Sequence, residues 1–192
     1  AIHFCQQGGF KDILTFDMGG TSTDVALIQN ATARVRRETR VGDVTVRTPS
    51  VDVRTVGAGG GSLAFVPELT KALRVGPESA GAMPGPAAYM KGGEEPTVCD
   101  ANVVLGRLGT SLAGGKIQLD PALAEAAVKT TVAEPFRMEL HEAAEAIVSV
   151  ANANMANAVR LLSISRGYDP RDFALVAFGG AGALHGAAIA SE

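Results

Sequence analysis

The sequence predicts an α/β protein built on a mixed sheet, with a Gly/Pro-rich insertion set between the opening strands and the helices. Three observations predict it. Two short apolar runs near the start, Ile13 to Asp17 and Asp24 to Ile28, are joined by the Gly/Thr-rich stretch Met18 to Thr23. A long stretch with helical periodicity lies between His141 and Arg166. A last apolar run, Phe173 to Phe178, passes through Gly179-Gly-Ala-Gly182 into further helical patterning. Strands, insertion, helices, strand, Gly-rich turn and helix in that order describe a sheet with helices packed on it.

The first two runs and their connection read as a β-hairpin. Gln29 to Thr32 is a second turn, and Ala33 to Thr39 alternates as a third antiparallel strand with Val35 inward. From Gly42 to Gly93 short β-like runs (Val44 to Arg47, Val51 to Val56, Leu63 to Val66) are broken by Gly57-Ala-Gly-Gly-Gly-Ser62 and Met83-Pro-Gly-Pro86, which preclude long helices. The insertion is taken as about residues 42–110. Asp100 to Leu108 reads as a short helix, and Asp120-Pro121 as an N-cap with proline at the first helical position, opening a helix to about Ala133. His141 to Arg166 is the longest helix, with Ile147, Ala151, Met155, Ala158 and Leu162 on a core-facing stripe and Gly167 at its stop. After a turn at Tyr168 to Arg171, Phe173 to Phe178 reads as a buried strand and Ala183 to Ser191 as a helix.

The chain has 192 residues, 46% hydrophobic and 19% charged, which suits an ordered globular core. A net charge of −3 argues against a general nucleic-acid binder. The basic run Arg34, Arg36, Arg37 and Arg40 reads as a solvated strand face. Cys5 and Cys99 lack metal-ligand spacing, so a reducing, cytoplasmic setting is expected. No apolar run approaches the roughly 20 residues of a membrane span, and no signal peptide is visible. The chain begins at Ala1 and ends at Glu192 inside a helical pattern, so a single lobe of a longer polypeptide is expected over 1–192.

Three Gly-rich elements carry the candidate chemistry. In Asp17-Met-Gly-Gly-Thr-Ser-Thr-Asp24, Gly19 and Gly20 let backbone N–H groups approach an anion, and Thr21, Ser22 and Thr23 add hydroxyls. Asp17 stands at a strand end, where it is expected to hold a hydrated Mg²⁺. Asp24 either shares that water shell or caps the turn. Gly179, Gly180 and Gly182 lie between a strand and a helix N-terminus, where a dipole end and free N–H groups face a ligand. The spacing lacks the third glycine of a dinucleotide fingerprint, and Gly57 to Ser62 lacks the Lys of a P-loop. That third element, with Gly59 and Gly60, either lines a cleft or permits close backbone packing. Asp100 and Asn102 are cleft-lining or helix-capping residues. His185 faces a ligand or sits at the helix start as a surface or capping residue.

The hairpin Phe16 to Val25 resembles the phosphate hairpin of the actin/Hsp70/sugar-kinase fold. Thr55 to Ser62, Leu73 to Gly81, Pro84-Gly-Pro-Ala87, Pro96 to Leu108 and Phe178 to Gly182, taken in order over nearly the whole chain, resemble the hydantoinase A/oxoprolinase family. The chain departs from the family pattern at Ala88, where relatives often carry Cys, and at Ala183, where they often carry Pro. The resemblance implies an RNase H-like second lobe carrying one phosphate hairpin and an adenosine loop. ATP and Mg²⁺ are the implied cofactors, and Asp17 and Asp24 are the candidate catalytic residues, Asp17 also as the metal residue through water. The implied reaction is phosphorylation of the amide oxygen of a hydantoin or 5-oxoproline type ring, followed by hydrolysis. The implied partners are a first lobe on the same polypeptide, a second (B-type) subunit and a small-molecule substrate, without nucleic acid or membrane. Acetone-carboxylase-type subunits, small-molecule kinases and non-enzymatic nucleotide switches of the actin/Hsp70 kind share the same cleft and stand as alternatives.

Overall fold

The structure, a computed structural model, describes residues 1–192. Its elements relevant to the site are α1 (Ile2–Gln7), β1 (Ile13–Met18), β2 (Thr23–Gln29), β3 (Thr32–Ala33), β4 (Val53–Val56), β5 (Ser62–Phe65), β6 (Arg74–Ser79), α2 (Val98–Val104), α3 (Pro121–Val128), α4 (Leu140–Ile164), β7 (Ala174–Phe178) and α5 (Gly182–Ser191). The main sheet runs β7-β1-β2-β3, and β4 also pairs with β2. It is mixed. β1 is antiparallel to β2 from Ile13↔Ile28 to Met18↔Thr23, and parallel to β7 from Ile13↔Ala174 to Asp17↔Phe178.

Strand alternation divides the sheet's two faces. Leu14, Phe16 and Met18 of β1, with Val25 and Leu27 of β2, join Ile147, Ala151, Met155 and Leu162 of α4 in one buried cluster. Each such side chain contributes about 1.5–3 kcal/mol on burial, so this layer dominates the stability of the fold. On the opposite face Ile13 and Ile28 are covered by Cys5 of α1. The same face carries Asp17 and Asp24 at its other end. By length and mean hydropathy (25 residues, 1.2) α4 would suffice to cross a membrane. Its apolar stripe is instead taken up by the sheet, and its other side carries exposed Glu142, Glu145 and Asn157.

Several expectations are corrected. The third strand leaves the sheet after Ala33, and the chain forms an arm in which Val35–Arg36 pairs with Ser50–Val51 and Thr39–Val41 with Val44–Val46. Val35 is 62% exposed, so no core face holds this segment against β2. The remaining edge of β2 is filled by β4, in register from Thr23↔Val56 to Ala26↔Val53. Arg36 is not simply solvated: it pairs with Asp52 at 3.5 Å, and Asp52 also meets Arg166 of the α4 end. β7 is only partly buried, with Ala177 and Phe178 exposed, because it pairs on one side only. α2 begins before Asp100, because Thr97 and Asp100 form a reciprocal capping box. Asp120 caps α3 as expected, but the α-helix ends at Val128 and continues as a π turn over Lys129–Ala133.

Candidate functional site

The tip between β1 and β2 is the four-residue turn Gly19 to Ser22, closed by the Gly19 N–H donating to the Ser22 carbonyl at 2.9 Å. The next three N–H groups, of Gly20, Thr21 and Ser22, donate to no backbone acceptor, and Gly20 and Thr21 are exposed. Successive free amides of this kind make an anion-binding concavity. Thr23 does not belong to it. Its hydroxyl donates inward to the Ala58 carbonyl at 2.6 Å, lies 3.4 Å from the Met155 sulfur, and is fully buried. The sequence grouped Thr23 with the ligand hydroxyls, but strand alternation turns it into the core.

Asp17 and Asp24 are directly opposed across the β1–β2 ladder, so their side chains share a face. Cβ atoms of such a pair stand about 4.5–5.5 Å apart, and opposed like charges are unfavourable without a counter-charge. Thr55 of β4, in register with Asp24, donates its hydroxyl to Asp24 Oδ1. No group of three or more His, Cys, Asp or Glu side chains converges on a metal position. Two carboxylates beside a turn of free amides suit a Mg²⁺ that keeps most of its waters and shares the rest with phosphate oxygens. Thr55 was missed as part of this site, because its partner emerges only from strand register.

The parallel pairing of Asp17 with Phe178 brings the second Gly-rich turn to the same sheet edge. Gly179 has φ +89°, and a Cβ there would collide with the Met18 carbonyl and the Asp17 carboxylate. The Ala181 N–H donates to Met18 O at 3.0 Å, locking this turn onto β1. α5 then starts at Gly182 without a side-chain cap, so its dipole end and unpaired N–H groups remain available. Gly180 is exposed, with nothing near its Cβ position. Gly182 is different. It is buried, and a Cβ there would sit 3.5 Å from Phe16 O, so it serves to pack the helix start on β1 rather than to face a ligand.

The third Gly-rich element braces the first. Gly60 N–H donates to Gly19 O at 3.0 Å and Gly61 N–H to Gly20 O at 2.6 Å. A Cβ on buried Gly59 would lie 2.7 Å from Ser22 N. Close backbone packing is therefore the role of Gly59. Gly60 is partly exposed, and its Cβ position lies 3.8 Å from Gly19 O and 3.9 Å from the Ala181 methyl. It forms the floor of a crevice whose walls are the two turns.

Asp100, Asn102 and His185 lie in the interior, at 0%, 1% and 0% exposure. Asp100 accepts from the N–H groups of Ala87, Ala88 and Thr97 and from the Thr97 hydroxyl, tying the Pro84-Gly-Pro-Ala segment to the start of α2. The Thr97-x-x-Asp100 spacing carried that signal. Asn102 donates from Nδ2 to Val98 O at 2.9 Å and reaches His185 Nε2 at 3.3 Å. His185 Nδ1 meets Asn152 Oδ1 at 2.7 Å. These contacts fix the neutral tautomer, with Nδ1 donating and Nε2 accepting. Burial, aided by the charge of Arg107, lowers the imidazole pKa to about 4. Burial also raises the Cys99 thiol to about 11, with its S–H directed at the Tyr89 hydroxyl at 3.6 Å, so it is no thiolate at neutral pH. The sequence left cleft-lining and helix-capping roles open for Asp100 and Asn102, and a ligand-facing or capping role for His185. Capping holds for Asp100, and the burial of all three argues against ligand contact.

An apolar-lined concavity of about 920 Å³ lies elsewhere. Leu14, Phe173, Leu175, Val159 and Ile189 line it, from the starts of β1 and β7 and the helix ends. The acids and free amides stand at the opposite strand ends, so this apolar concavity takes no part in their chemistry.

A family model described as Hydantoinase/oxoprolinase matches residues 1–192. Caprolactamase subunit alpha of Pseudomonas jessenii is 43% identical over 97% of this chain and 27% of that protein. The crystal structure of the ATP-dependent caprolactamase from that organism superposes with a TM-score of 0.89 at 41% identity, over 99% of this chain and 28% of the other. A nucleotide-free acetone carboxylase structure gives 0.86 at 31% identity, over 96% and 26%. The 5-oxoprolinase PfmaA of Pestalotiopsis fici is 41% identical over 94% of this chain and 15% of that protein. The chain thus spans about a quarter, or less, of the length of these relatives.

Proposed function

Since the chain belongs to the hydantoinase/oxoprolinase family, we propose that residues 1–192 are an actin/sugar-kinase-type, RNase H-like nucleotide lobe of an ATP-dependent enzyme that opens a cyclic amide. The observation that carries this reading is the crevice floored by Gly60. On one side are the free N–H groups of Gly20, Thr21 and Ser22 with the opposed Asp17 and Asp24, and on the other the uncapped start of α5. In this reading the hairpin amides and the Thr21 hydroxyl hold phosphate oxygens. Asp17 and Asp24 hold the Mg²⁺ water shell, and Gly179 and Gly180 let the backbone approach the nucleoside. When bound, ATP would supply a phosphoryl group to the amide oxygen, which would open the ring carbon to attack by water and cleavage of the C–N bond. Hydrolysis of the resulting acyl phosphate would release phosphate and the ring-opened acid. The lobe's contribution is positioning and charge neutralisation, which is most of what phosphoryl transfer requires of a protein.

The rest of the clamp, and a second subunit, are assigned to polypeptide outside these residues. The relative named as a caprolactamase subunit and the quarter-length coverage support that assignment. The fold match to acetone carboxylase favours a second reading, in which the same cleft activates a carboxylation substrate.

Gly20 and Gly180 supply the test. Neither has a positive φ, and open space surrounds both Cβ positions. In the full-length protein, Gly20→Val and Gly180→Val should leave the ligand-free thermal midpoint nearly unchanged. Each should weaken MgATP binding, read by calorimetry, by about ten-fold or more, equivalent to about 1.4 kcal/mol. Unchanged MgATP affinity in both variants overturns the nucleotide reading. Comparing turnover of 5-oxoproline and caprolactam with bicarbonate-dependent use of acetone separates the two substrate classes.

A further inference from the structure

The two turns that face the crevice are joined by a second path, through the interior. Gly19 O accepts from Gly60 N–H, and Gly60 O accepts from Cys99 N–H at 2.7 Å in the first turn of α2. Asn102, in the same short helix, reaches His185 Nε2 at 3.3 Å. His185 lies in the first turn of α5, directly after the Gly179 to Gly182 turn. On its other side, Nδ1 is held by Asn152 of α4 at 2.7 Å. Every member of this path is buried or partly buried, and α2 is fixed at its N-terminus by the Thr97–Asp100 box.

Asn102 has no freedom to serve His185 in another orientation. Both hydrogens of its amide are committed, one to Val98 O and one to the imidazole, while its Oδ1 is buried without a partner. A buried amide oxygen left unpaired gives up its hydration and gains no partner in return. The position therefore carries a cost, and a packing role alone would be met by an apolar side chain. What the arrangement provides is a fixed separation between α2, which carries the Gly60 floor and through it the hairpin, and α5, which carries the second turn.

We infer that His185, held between Asn102 and Asn152, is a positioning residue that sets the spacing of the two nucleotide-facing turns without touching the nucleotide. The inference rests on the nucleotide reading above. It makes a chemical distinction between the two ring nitrogens. The link to α2 runs through Nε2, whereas Nδ1 only ties the residue to α4. A glutamine amide reaches the place of Nε2, and an asparagine amide reaches only that of Nδ1.

The test uses the full-length protein and MgATP as the probe, with His185→Ala, His185→Asn and His185→Gln. Ile28→Ala serves as a control of comparable destabilisation in the separate cluster under α1. His185→Ala and His185→Asn are expected to weaken MgATP binding about ten-fold or more, and His185→Gln to stay within about three-fold of the parent, a difference of order 1 kcal/mol. Ile28→Ala is expected to lower the thermal midpoint while leaving affinity unchanged. Should affinity merely track the thermal midpoint across the set, or the Asn and Gln variants bind alike, His185 is structural only and the inference is overturned. If His185→Ala does not fold, the Asn and Gln pair still decides. The Gly20→Val and Gly180→Val measurements report on the nucleotide reading independently.

Discussion

A Cβ added at Gly59 would stand 2.7 Å from backbone atoms of Thr21 and Ser22, whereas one at Gly60 would meet nothing nearer than 3.8 Å. Neighbouring glycines in one turn thus answer to different demands. Gly59→Ala is expected to cost about 1–3 kcal/mol by overpacking and to lower the thermal midpoint. Gly60→Ala is expected to fall within about 0.5 kcal/mol in the same measurement. The sequence displayed both glycines but not which backbone lies against them, so its two readings of this turn could not be separated before the fold was known. His185 carries a pH signature of its own. Its folded pKa is lowered to about 4, while an unfolded histidine titrates near 6.5. The unfolded chain therefore binds the proton first. Stability is complete above pH 6.5 and drains away as pH falls toward 4. Between pH 6.5 and 4.5 the thermal midpoint of His185→Gln should fall less steeply than that of the parent protein.

Among the elements, α4 was legible because its periodicity is long and its partner surface large. Met155 lies at 0% exposure on the predicted stripe and touches the Thr23 hydroxyl beneath the hairpin. Met155→Ala should destabilise by about 2–5 kcal/mol, measured by thermal unfolding, and loosen the base of the turn it supports. The hairpin of β1 and β2 and the strand–turn–helix of β7 and α5 were legible for the same reason: local pattern and turn chemistry both point to them. Between Ala33 and Val56 the short β runs at Val44 and Val51 to Val56 were legible, but their pairing was not. Which short β run joins β2 depends on side chains elsewhere that cover it, and a two-residue strand such as β3 has almost no signature of its own. The start of α2 shows the opposite case. Thr97 and Asp100 stand in the sequence at capping-box spacing, and the helix-capping alternative for Asp100 is the one the fold bears out.

On the scale of the molecule, one sheet edge gathers both Gly-rich turns and both acids, while the apolar concavity lies at the other end. A crevice open to water gives weaker electrostatic interactions than an enclosed one. Residues 1–192 alone are therefore expected to bind MgATP at least about ten-fold more weakly than the full-length protein and to show no steady ATP turnover. Calorimetry and phosphate release check this, and turnover by these residues that Asp17→Ala abolishes would contradict it. The arm beyond Ala33 stands apart from all of this chemistry. Residues 40–49 are exposed throughout, and the β2–β4 pairing closes below them. Trypsin cutting after Arg40 or Arg47 would leave two fragments clasped by that ladder and by the hydrophobic layer under it. The same tip is accordingly the position where a foreign peptide or a fluorophore can be spliced in with the least disturbance to the two Gly-rich turns.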